Sequence, residues 1–201
     1  QGRSLFFYQG VQDNIFDKVF RGVYADDIQA LDVAAIRNEY KALYMKAKDD
    51  YRKLLGRLNQ TKGLLAEFVI INQLRLHAHW NQEFFTSITH NLPQDFQFAE
   101  YEHVWSYKTA RPDKQDIQID IFARADAAHY SLIGEVKNRT TKAFSAAEAE
   151  EFVRKAHALQ DREQIEKAAL FVFSRKGFTQ DALAYVQEHG IAYSDDERWL
   201  E

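Results

Sequence analysis

The sequence predicts an α/β domain behind a long helical extension, and three observations carry that reading. Apolar residues at 36, 40, 43, 47, 51, 54 and 58 recur at helical spacing. From residue 102 the period changes to two, most cleanly over 116–124. After that, a capped helix, an apolar run at 168–173 and a further helix alternate, as βα units do.

The elements follow in order. Phe16, Val19, Phe20 and Val23 predict a short helix over 13–21, and Asp26 or Asp27 is placed to cap the next. The long helix then runs to Leu58 with a narrow apolar seam. Asn59 and Gly63 predict an interruption or kink. Residues 64–78 resume the helix, apolar nearly all round, so a buried helix is expected. Residues 86–97, with Asn91 and Pro93, predict a loop. Strands are expected at 102–108, 116–124 and 130–138, joined by a hairpin-like connection at 109–115 and a turn at 125–129. In the second strand Ile117, Ile119, Ile121 and Ala123 fall on one face, Asp116, Gln118 and Asp120 on the other. Ser145 and Glu148 form a capping box for a helix carrying Phe152, Val153, Ala156 and Leu159. Residues 168–173 predict a buried strand and 179–189 a helix with Leu183 and Val186 inward. Gly190 is its cap, and a short strand follows at 191–193. The boundaries are therefore 1–60 for the helical extension and 61–201 for the α/β domain.

Composition narrows the function. The chain has 201 residues and no cysteine, which excludes disulfides, thiolate metal sites and a Cys nucleophile and suits a reducing, cytoplasmic setting. No apolar stretch is long enough to span a bilayer, and no basic-then-apolar leader opens the chain. A chain opening on Gln1 is expected to be processed or cut from something longer. Net charge is −4, so a bulk nucleic-acid condenser is not expected. Yet residues 37–62 hold eight basic residues against three acidic ones. Arg52, Lys53, Arg57 and Lys62 are candidate phosphate contacts, beside the plainer reading of a solvated helix face. Neither zinc-ligand spacing, a Gly-x-Ser-x-Gly nucleophile elbow nor a Walker loop occurs.

Four polar residues stand in apolar settings: Glu67, Asp120, Glu135 and Lys137. Strand parity puts Glu135 and Lys137 on one face, about 6.5 Å apart. Antiparallel pairing through the 125–129 turn brings Asp120 near Glu135. Two hard oxygen ligands without Cys or His suit Mg²⁺ or Mn²⁺, with Glu67 completing the shell directly or through water. Lys137 can orient or deprotonate an attacking water, or stabilise charge building on phosphorus. The reaction class expected of such a set is metal-dependent phosphodiester hydrolysis.

At this point the chain resembles the PD-(D/E)XK nuclease superfamily. The resemblance rests on Glu135-Val136-Lys137, Asp120 on the strand before, Glu67 on the preceding helix, and the lead-in Lys62-Gly63 to Ala66-Glu67. The stretch from Phe173 to Thr179, followed by a helix, Gly190 and Ile191, is also similar. It implies a restriction-endonuclease-like αβββαβ core with a mixed sheet, Glu67, Asp120, Glu135 and Lys137 as catalytic set, and Mg²⁺ (or Mn²⁺) as cofactor. It further implies an ATPase module or partner for residues 1–60, which lie outside it. Ile119 stands where the motif's name has Pro, and for the basic residue often supplied by the next helix both Arg154 and Lys155 qualify. Two rivals remain: a non-catalytic interaction or regulatory module of this fold beside an ATPase, and an oligomerisation unit built on the seam of residues 36–58, with a second copy as partner. No membrane partner is expected.

Overall fold

The computed structural model of the protein describes residues 14–26, 33–109 and 117–201. The expected cap at Asp27 and most of the 109–115 connection lie outside them. The chain divides into two compact units, Gln1–Leu54 and Leu55–Glu201. Helix α1, Asn14–Val23, belongs to the first, and helix α2 spans Val33–Gln73 without a break. The interruption expected at 59–63 is absent. One Gly costs a helix only about 1 kcal/mol, and Thr61 Oγ1 donates back to the Arg57 carbonyl at 3.0 Å, so good helix formers on both sides carry the turn. A π-helical turn, Leu74–Ala78, ends α2, and a short helix α3, Gln82–Ser87, follows, its last two residues reaching into the loop expected at 86–97.

The second unit is built on a five-stranded mixed sheet in the order β1-β2-β3-β4-β5. The strands are β1 (His103–Lys108), β2 (Gln118–Arg124), β3 (Ser131–Lys137), β4 (Ala168–Ser174) and β5 (Ala192–Ser194). β1, β2 and β3 pair antiparallel, while β3, β4 and β5 pair parallel. The two parallel joins need crossovers, supplied by α4 (Ala146–Glu163) and α5 (Gln180–Glu188). Both helices cover one face, where Phe152, Ala156, Leu159, Ala182 and Val186 pack on Ile119, Phe122, Ile133 and Val172. The other face is covered by Ala66, Ile70, Leu74 and Ala78 of α2 and the π turn, with Phe85, Phe98 and Trp199. With both faces buried, β4 reads as a near-continuous apolar run.

The start and stop signals hold where they are local. Glu148 Oε2 accepts from Ser145 N at 3.0 Å and from Ser145 Oγ at 2.9 Å. Gly190 takes φ +63°, and Ile191 N reaches the Val186 carbonyl at 2.8 Å, the hydrogen bond of a Schellman stop.

Two expectations are corrected. Residues 64–78 do not form a buried helix. Only the row Ala66, Ile70, Leu74 and Ala78 is buried, and Leu65 and Phe68 are each 60% exposed. β2 does not keep a single alternation either. Trp105 pairs with Phe122 and Tyr107 with Ile119, so Asp120 and Ile121 together oppose the single residue Ser106. This β-bulge inverts parity: Ile117 and Ile119 pack on the α4/α5 side, Ile121 and Ala123 on the α2 side. Gly134 faces Ile121 across β2 and β3, and a Cβ there would lie 3.2 Å from Ile121 Cβ, so a side chain at 134 would press Ile121 back by a few tenths of an ångström. Among the described residues no helix is long and apolar enough to cross a membrane.

Candidate active site

The pairing of β2 with β3 covers three residue pairs and stops at Ile121 with Gly134. One step further, Asp120 and Glu135 would be the next pair, but the ladder is replaced there by a side chain. Val136 N donates to Asp120 Oδ2 at 2.9 Å. A carboxylate that takes a backbone N–H out of the ladder holds the two strand ends apart and is itself fixed. Asp120 and Glu135 are both 9% exposed. Lys137, two residues beyond Glu135 on the same side of β3, contacts Glu135 Oε1 and lies 4.0 Å from Asp120 Oδ2. The three groups expected to meet do meet, around one ammonium.

Their electrostatics are uneven. Burial raises the Glu135 pKa, and the negative charge of Asp120 adds to it, against the pull of Lys137 and Lys155. Glu67, on the α2 turn facing the site, is pushed up to about 7, first by burial and then by Asp120, with Glu135 adding to the rise and Lys137 opposing it. Burial disfavours the Lys137 ammonium, but Glu135 and Asp120 outweigh it, and its pKa stands above the ordinary lysine value. Three carboxyl groups thus face one committed cation, and burial first, then the neighbouring anions, raises the pKa of two of them.

Among the described residues no three His, Asp or Glu side chains are gathered so as to hold a metal ion in this arrangement. The donor chemistry nevertheless fits a hard divalent cation. Asp120 Oδ1 and Glu135 Oε2 carry no hydrogen bond among the described residues, and both belong to side chains fixed through their other oxygen.

The structure also chooses between the two basic candidates on α4. Arg154 is exposed and doubly bonded to Glu151, at 2.9 and 2.8 Å. Lys155 is half-buried, and its charge acts on Glu135. Helix periodicity carried that signal, because 155 lies three from 152 and four from 159, both buried, whereas 154 shares its side with exposed 147 and 150.

Two supports escaped the sequence. Asn138 Nδ2 donates to the Lys62 carbonyl at 2.9 Å, tying the end of β3 to α2 beside Glu67. Arg139 meets Glu148 with both Nη groups at 2.7 Å, and also donates to the carbonyls of Lys142 at 2.8 Å and Ala143 at 3.1 Å. That clamp fixes the link from β3 to α4, so Lys137 and Lys155 are held by one rigid corner. Of the basic run, Arg52, Lys53, Arg57 and Lys62 are all exposed on α2 and are not drawn into the carboxylate cluster. Trp105 and Tyr107 of β1 pack on Phe122, and Tyr107 donates to Glu163 at 3.0 Å.

No protein-family model, no curated protein and no solved structure matches the chain.

Proposed function

We propose that the protein is a metal-dependent nuclease of the PD-(D/E)XK type with a restriction-endonuclease-like core, hydrolysing phosphodiester bonds of DNA. The observation that carries this reading is the junction where β2 and β3 part. There one lysine is shared by two buried carboxylates, and a third carboxyl with a pKa of about 7 faces them. A structural ion pair has no need of the surplus anions, which raise pKa values and cost stability.

In this reading Asp120 and Glu135, with Glu67 directly or through water, would hold Mg²⁺ or Mn²⁺, which would neutralise charge on the scissile phosphate and acidify a bound water. Lys137 stays an ammonium at neutral pH, because two anions raise its pKa. It therefore donates to the attacking water and to the phosphoryl oxygens rather than taking a proton. Where Glu67 holds the metal only through water, its carboxylate accepts the proton that water loses. Water oxygen forms the new bond to phosphorus as the bond to the ester oxygen breaks, and that oxygen leaves with the electron pair and takes a proton from solvent water. Lys155 offsets the Glu135 charge. Arg52, Lys53, Arg57 and Lys62 meet phosphates away from the cut, a role resting on their exposure and like charge.

The test is nicking of supercoiled plasmid with Mg²⁺ or Mn²⁺. Activity in the wild type, lost in both Asp120→Asn and Glu135→Gln, supports the reading; activity that both variants retain would sink it. A second reading keeps the fold without catalysis, as an interaction or regulatory module partnering an ATPase, and is favoured by the exposed apolar side of α2. It predicts no nicking by the wild type under any divalent ion.

A further inference from the structure

Gly63, Ala66, Glu67 and Ile70 share one side of α2, at steps of three, one and three, and none of them is exposed. Next to Glu67 that side has little with which to grip the sheet. A Cβ built on Gly63 would meet nothing within 4 Å, and Ala66, though buried, offers a single methyl. Apolar contact is non-directional, so a grip this slight leaves the depth of the helix loosely set. One bond is directional. Asn138 Nδ2 donates to the Lys62 carbonyl at 2.9 Å, and among the described residues no other hydrogen bond joins α2 to the sheet or its loops.

The carbonyl does not depend on that bond, because within an unbroken helix it already accepts from the N–H four residues on. Asn138 is itself left worse off. Its Oδ1 is buried and has no partner among the described residues. A buried acceptor without a partner destabilises the fold, and a leucine of similar shape would bury none. A bond that neither partner needs for its own sake acts as a spacer. Asn138 follows Lys137 directly, and Lys62 stands five residues before Glu67, about 7.5 Å along the helix axis. The bond therefore gauges α2 against the same strand end that carries Glu135 and Lys137. We propose, as an extension of the nuclease reading on which it rests, that Asn138 is a positioning residue. It sets the depth at which Glu67 enters the carboxylate cluster, and so how well Asp120, Glu135 and Glu67 together fit a divalent ion.

The test compares the full chain as wild type, Asn138→Leu, Glu67→Ala and the double variant. Each is measured by plasmid nicking with Mg²⁺, by calorimetric titration with Mg²⁺ alone and by urea denaturation. Asn138→Leu removes the bond and the orphaned oxygen together, so stability is expected to be unchanged or raised. Nicking and Mg²⁺ affinity should each fall about tenfold or more. In the Glu67→Ala background the same change should lower either quantity less than about twofold, since the group being positioned is gone. Where Glu67→Ala stops nicking altogether, the Mg²⁺ titration still completes the cycle. Equal losses in both backgrounds, no loss in either, or a fall in stability that matches the fall in rate overturns the proposal and leaves the nuclease reading standing. A wild type that neither nicks plasmid nor binds Mg²⁺ overturns both.

Discussion

Two charged clusters lie at the two ends of one short stretch, Glu135–Lys137 and Arg139 with Glu148, and they are built on opposite principles. In the second, a carboxylate and a guanidinium match one to one. Every donor nitrogen of Arg139 is used, and Glu148 also closes the capping box. The Arg139 hydrogen bonds lead in holding the Glu148 pKa down to about 2. In the first, three carboxyl groups share one lysine, and two of the three have raised pKa values. A balanced cluster lowers the energy of its own fold. An unbalanced one raises it and waits for charge from outside. Burial runs the same way, with Asp120 and Glu135 buried and Arg139 and Glu148 half-buried, and the charge balance states the reason.

The largest break in that comparison is in catalysis. Asp120→Asn and Glu135→Gln should each cut plasmid nicking by about 10²-fold or more, while urea denaturation shows stability unchanged or increased. A loss of stability matching the loss of activity would make the first cluster a scaffold like the second. Next, Mg²⁺ binds only the folded site, so at about 100 times its dissociation constant it should stabilise the wild type by about 2.7 kcal/mol. The shift in Tm should vanish in Asp120→Asn and persist in Arg139→Ala. Third, Arg139→Ala should cost about 2 kcal/mol by leaving Glu148 unpaired, and Asp120→Asn should not. The smallest effect is in pH. Glu67 has a folded pKa raised to about 7, so its contribution is least costly below the ordinary carboxyl pKa of 4.5 and worsens as pH rises toward 7. Thermal melts should show Glu67→Gln matching the wild type at pH 4.5 and exceeding it by about 1 kcal/mol above pH 7, a figure discounted for partial exposure. Glu148 runs the other way. Its contribution is present above 4.5 and is lost as pH falls toward 2, so Arg139→Ala and wild type should converge in acid.

Local chemistry made much of this fold legible. The strands β2 and β3, the Ser145–Glu148 box, the Gly190 stop and the apolar β4 each depend on neighbours within a few residues, and each stands where it was expected. Features that depend on distant partners were not legible. The bulge at Asp120 exists only as a count against β1, and no run of Ile and Asp in one strand reveals it. The exposure of Leu65 and Phe68 depends on what lies opposite α2, which a helix apolar nearly all round does not specify. At the site, Asp120, Glu135 and Lys137 were readable because turn and parity bring them together. The Arg139 clamp was not, because it joins a strand end to a helix start across an irregular loop.

The brevity of the β2–β3 pairing bears on the order in which the site is assembled during folding. Its three pairs close across a short turn, whereas Glu67 reaches the sheet only when α2 docks from far along the chain. Short loops close early and long ones late. Asp120, Glu135 and Lys137 should therefore form a preassembled half-site in the folding transition state, with Glu67 added on the downhill side. Conservative truncations at Phe122 and Ile133 are expected to slow folding, and Ile70→Val to speed unfolding instead. The reverse partition would mean that the helix, not the hairpin, is the nucleus.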